Sequence, residues 1–146
     1  MIDARTAVEE AFRGLLAVLD DAAVRDFHSG APMLVARLDD QHADYYLVPL
    51  ENERGVAIIV QVGAQSGAMT SFAELPTPQS RIIITPDDAL RAVPDAHGTP
   101  RLVWQPCRES SSAFLPFYRV ETGDAAVFVR GDGQVFRSLT PFGRGG

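Results

Sequence analysis

Apolar residues recur at helical spacing near the start of the chain: Val8, Ala11, Phe12, Leu15, Leu16 and Leu19 fall on one stripe. Thr6 followed by Glu9 has the spacing of a capping box. The pattern therefore predicts a helix that opens at Thr6, runs on through Ala22, Ala23 and Val24, and ends by His28-Ser29-Gly30, just ahead of Pro32. The period then changes. Segments 33–38, 45–50 and 56–62 read as strands, separated by polar turns at 41–44 and 51–55. Segment 56–62 is almost wholly apolar, which predicts a central place in the sheet. Segment 69–75 offers a fourth strand, and Pro76 and Pro78 predict a stiff linker over 76–80 without regular structure. In the second half, Thr85 can cap a helix, Pro86 suits its first position, and Asp87 and Asp88 face the positive end of its dipole. That helix must stop before Pro94. Strands are expected at 102–105, 117–121 and 125–130; Gly131-Asp132-Gly133 turns into a last strand at 134–139, and 140–146 reads as frayed.

The halves rhyme. Glu9-Glu10-Ala11-Phe12 echoes Asp87-Asp88-Ala89-Leu90, Tyr45-Tyr46-Leu47-Val48 echoes Phe117-Tyr118-Arg119-Val120, and Ser66-Gly67 echoes Asp132-Gly133. The fold class that follows is α+β: two helices packed on an antiparallel sheet of about six to eight strands. A tandem α-βββ repeat is its expected organisation, with halves 1–76 and 77–146 joined in one compact domain.

Thr85-Pro86-Asp87-Asp88-Ala89 resembles the helix start of the PepSY family, and Val62-Gly63-Ala64-Gln65-Ser66-Gly67 is similar to its Val-Asp-Ala-x-Thr-Gly turn, with Gly63 in place of the Asp. The resemblance covers most of both halves. It implies a cystatin-like shape and a binding role of the kind associated with peptidase propeptides and inhibition, and it brings no catalytic residues.

Composition narrows the field. Hydrophobic residues make up 46% of the 146, with eight Phe, three Tyr and one Trp, enough apolar material for a core. No apolar run approaches the roughly 20 residues of a membrane-spanning helix. The opening Met1-Ile2-Asp3-Ala4-Arg5, with Glu9 and Glu10 soon after, lacks the pattern of a signal peptide, so a cytoplasmic location is expected if Met1 is the native start. A net charge of −6 argues against free nucleic acid as a partner. All 13 basic residues are Arg, which excludes Schiff-base and P-loop lysines. The single cysteine, Cys107, excludes an internal disulfide.

The segment 104–112 is the most unusual, uniting the only Trp, the only Cys and a polar cluster. One reading makes Cys107 a nucleophile, with Arg108 favouring the thiolate and His28, His42 or His97 as base. The plainer reading is a small buried thiol where a strand leaves the sheet. A third use is recognition: an Arg and aromatics beside a serine loop are interface material. Trp104, Arg108, Glu109, Ser111 and Phe114 are then the candidate partner-binding residues, with Trp104 or Phe114 as an anchor, although Phe114 and Phe117 also suit a core. Asp39, Asp40, His42 and Asp44 crowd one turn but match no calcium-loop spacing and read as a solvated tip, so neither metal nor cofactor is predicted. The leading expectation is a non-enzymatic module that binds a protein or peptide partner, inhibitor-like or an accessory of a bacterial system. The alternatives are a chaperone or immunity protein of a secretion or toxin system and, third, a cysteine-dependent enzyme.

Overall fold

A computed structural model describes residues 1–142, and the chain in it is α+β. It divides into two units, Met1–Ala36 with Asp40–Ile82, and Arg37–Asp39 with the chain from Ile83 onward.

The first unit opens with helix α1, Ala4–Leu16. Its cap is Asp3, whose carboxylate accepts the Thr6 amide at 2.8 Å. The expected start at Thr6 is thus corrected by a turn. The reason lies outside the helix: the Ile2 amide donates to the Ala64 carbonyl at 2.8 Å, and the Ile2 carbonyl accepts the Tyr46 hydroxyl at 3.0 Å. Those two bonds fix where the chain enters, and Asp3 is the next residue able to cap. The helix does not continue to Val24. Asp20 takes an extended backbone and starts a separate short helix α2, Asp21–Val24. Ala7, Ala11 and Leu15 form the buried face of α1, with Val8 and Phe12 half-buried beside them, while Leu16 is 47% exposed and leaves the predicted stripe.

Strands β1 (His28–Ser29), β2 (Met33–Arg37), β3 (Tyr45–Asn52), β4 (Gly55–Gly63) and β5 (Met69–Gln79) follow. The order β5-β4-β3-β2 is an antiparallel meander, with β1 also paired to β3. Strand β4 has partners on both sides, which suits its continuous apolar sequence. Alternation along β3 and β4 turns Tyr46, Val48, Leu50, Ile58, Val60 and Val62 toward α1. Gly14 allows the close approach of helix and sheet: a Cβ there would lie 2.6 Å from the Met69 Cβ. The predicted linker at 76–80 is in fact strand as far as Gln79. Both prolines sit where the register slips between Ile58↔Glu74 and Val56↔Gln79, and β5 pairs with β4 alone in this unit, so neither missing amide breaks the ladder.

The second unit repeats the plan on a smaller scale. Helix α3, Pro86–Arg91, starts as predicted: Thr85 accepts the Asp88 amide, and the Asp88 carboxylate accepts the Thr85 amide, both at 3.1 Å. Strands β6 (His97–Trp104), β7 (Phe117–Glu121), β8 (Ala126–Arg130) and β9 (Val135–Phe136) form a second antiparallel meander, with α3 packed on β6 and β7. Each unit therefore carries four meandering strands after its helix, the number of strand segments read in each half and one more than the expected α-βββ repeat. The Ile84 amide donates to the Gly131 carbonyl at 3.0 Å, and the Ile84 carbonyl accepts the Tyr118 hydroxyl at 3.0 Å. This is the same device that Ile2, Ala64 and Tyr46 make in the first unit. On the sheet face away from α3, Phe117 meets Phe128 and Phe136 edge to face, at centroid distances of 6.3 and 6.1 Å.

The described part of the segment expected to fray is tied down. Thr140 bonds through its carbonyl to the Arg108 amide at 2.9 Å, and Pro141 bridges Cys107. The rest of that expectation, 143–146, lies outside the described residues.

Candidate functional site

Trp104 ends β6, the other four candidate partner-binding residues lie in the loop between β6 and β7, and the folding of that loop starts at Pro106. With no amide hydrogen, Pro106 cannot extend the ladder, so the chain leaves the sheet after Trp104. It then coils around Ser110, whose residue is only 5% exposed. The Ser110 hydroxyl donates to the Leu115 carbonyl at 2.7 Å, with the Ser112 carbonyl at 3.2 Å. The Ser110 carbonyl accepts the Trp104 indole N–H at 3.2 Å and the Cys107 amide at 3.4 Å, and the Cys107 Sγ lies 3.5 Å away. Ser112 closes the exit, taking the Phe114 amide on its hydroxyl at 3.1 Å and the Leu115 amide on its carbonyl at 3.0 Å.

Two arginines brace the loop from outside. Arg130, on β8, donates to the Glu109 carbonyl at 2.5 Å, to both Asp132 oxygens at 2.7 and 2.9 Å, and to Gln134 at 2.8 Å. This hydrogen-bonded pairing holds the Asp132 carboxyl below its ordinary range and pushes the Arg130 guanidinium up. The Glu109 carboxylate accepts the Thr140 amide. Arg37 lies over the Trp104 ring, 4.9 Å from its centroid, and is itself clamped by both Asp39 oxygens at 2.7 Å.

The five candidate residues thus separate. Trp104 is 6% exposed and holds the loop from beneath, so it cannot be a surface anchor. Glu109 is half-buried and engaged with the chain's own backbone. Arg108 and Ser111 are exposed, and Phe114 is half-buried beside them. The Cys107 thiol is fully buried and is not presented to solvent as a nucleophile needs to be. Among the other early candidates, Asp39 pairs with Arg37 and Asp40 caps the short 3-10 turn Gln41–Ala43 by accepting the His42 amide at 3.0 Å. His97 Nδ1 lies 3.2 Å from the Glu121 carbonyl at the start of β6.

Sequence reasoning missed Ser110, Arg37 and Arg130. Ser110 was marked only by its place in the serine run, and nothing near Arg37 in the chain announces that it covers Trp104. The arrangement is an internally bonded loop that leaves the Arg108 guanidinium and the Ser111 hydroxyl exposed and Phe114 half-buried. Among the described residues no group of three or more His, Cys, Asp or Glu is placed to hold a metal ion. No family model, curated protein or solved structure matches the chain.

Proposed function

We propose that this protein is a non-enzymatic module that binds a protein or peptide partner through the loop from Arg108 to Phe114. The observation that carries the reading is the contrast within that loop. Its backbone is bonded at Cys107, Arg108, Glu109, Ser110, Ser112 and Phe114, while the Arg108 and Ser111 side chains face solvent. Rigid presentation of an arginine lowers the entropy lost on binding, which is how a recognition edge gains affinity. Arg108 is a bidentate donor suited to a carboxylate or a backbone carbonyl of the partner. The repeated Ile–Tyr device supports a tandem-repeat origin for the two units, in line with the resemblance to PepSY modules and their cystatin-like shape.

The test is capture on the immobilised chain followed by affinity measurement. Arg108→Ala should weaken the captured partner by at least about tenfold, with the melting curve unchanged. Equal affinity for Arg108→Ala and the parent would refute the loop as the recognition edge.

A further inference from the structure

The helix of the second unit is short for its sheet. Six residues give α3 a length of about 9 Å. It packs on β6 and β7, whereas the 13 residues of α1 reach β3, β4 and β5 of their own sheet. On the corresponding face of β8 and β9, Val129 is fully buried, but Val127 is only half-buried and Val135 is 43% exposed. The gap is a cavity of about 410 Å³. Its apolar lining is Val93, just past α3, with Val127 and Val135, and its charged lining is Asp95, Asp124 and Arg137. The β8–β9 register pairs Phe128 with Phe136 and Val129 with Val135; one step further sets Arg137 opposite Val127, at the end of β8 that follows the β7–β8 turn.

The charged groups are placed against local preference or without a local task. Asp95 is the one non-glycine residue with positive φ among the described residues, at 62°. It follows Pro94 in a turn closed by the Ala96 amide on the Val93 carbonyl at 3.3 Å, where glycine would sit with less strain. Asp124 lies in the β7–β8 turn, which is closed by Thr122 and Ala125 without its carboxylate. Among the described residues neither Asp is ion-paired to Arg137.

We propose that this cleft binds a short zwitterionic peptide with aliphatic side chains. Its ammonium meets Asp95 and Asp124, its side chains cover Val93, Val127 and Val135, and its carboxylate meets the Arg137 fork. Charge complementarity selects this occupant. A purely apolar molecule would leave the three exposed charges at its edge unused, and a simple cation or anion would face a group of its own sign. The volume falls within the usual range of small-molecule sites. The cleft is independent of the Arg108 loop.

The experiment is a titration of the isotope-labelled full chain with the dipeptide Leu-Leu, read by amide chemical shifts. Saturable shifts should centre on Asp95, Val127 and Val135. N-acetyl-Leu-Leu-amide, which has lost both charges, should bind at least about tenfold more weakly, as should Leu-Leu itself to Arg137→Gln. Asp95→Gly should raise the melting temperature while weakening Leu-Leu about tenfold, a combination that a purely structural Asp95 does not give. Arg108→Ala should leave Leu-Leu binding unchanged, which separates this site from the loop. Shifts that never saturate, equal binding of the blocked dipeptide, or full affinity in Asp95→Gly and Arg137→Gln would each overturn the proposal.

Discussion

Replacing Ser110 by alanine removes one oxygen atom from the centre of the β6–β7 loop. The Ser110 hydroxyl is the donor to the Leu115 carbonyl at 2.7 Å, and its residue is 5% exposed, so water cannot readily replace it. The lost bond is worth about 1 kcal/mol net, and leaving a buried acceptor without its donor adds about 1–2 kcal/mol. Ser110→Ala should therefore cost about 2–3 kcal/mol in urea unfolding, with the slope of the transition unchanged. Trp104→Phe removes the indole donor to the Ser110 carbonyl, a 3.2 Å bond, and should cost about 1 kcal/mol. Both changes act on one network, so the double variant should deviate from additivity by at least about 0.5 kcal/mol. A loss under about 0.5 kcal/mol for Ser110→Ala, or strict additivity with Trp104→Phe, would refute the claim that Ser110 organises the loop.

Leu15→Ala should cost about 2–5 kcal/mol in the same assay, because Leu15 is fully buried on the inner face of α1, while Leu16→Ala, at a 47% exposed site, should stay within about 0.5 kcal/mol; similar losses at both would mean that the buried face of α1 is misplaced. Burial first, and the Asp88 charge second, push the Tyr118 phenol above its ordinary value of 10.0. The folded state then keeps this proton to higher pH than the unfolded chain, so the contribution is complete below about pH 10 and is lost as pH rises through the folded value. Tyr118→Phe should flatten the alkaline fall in stability followed by urea melts across that window, and an unchanged fall would show that Tyr118 does not contribute to it.

Local signals were legible and long-range ones were not. The start of α3 could be read directly, because Thr85, Pro86 and Asp88 act within one turn. The start of α1 could not, because Asp3 and Thr6 are both able to cap and the choice rests on Ala64 and Tyr46, far along the chain. Pro76 and Pro78 misled for a similar reason: a proline forbids a paired amide, and only the sheet shows that β5 sits at one side of its meander with a slipped register. The loop itself was visible as an oddity of composition, but its division of labour was not. Trp104 is excluded as an anchor by its burial with Arg37 over its ring, and Glu109 by its bonds to Thr140 and Arg130, all contacts from residues distant in the chain. The cleft beside Val135 has no local signature, because its lining comes from three separate segments, 93–95, 122–127 and 135–137, that only the sheet brings together.

The most direct test of the recognition edge is a hydrogen-exchange footprint of the full chain with its captured partner. The loop is already bonded internally, so binding should slow exchange most at the amides that no internal bond holds, Glu109 and Ser111 among them, together with their neighbours through Phe114, while the amides of α1 and β4 stay unchanged. Protection centred on the first unit, with exchange across 108–114 unaltered, would contradict the account.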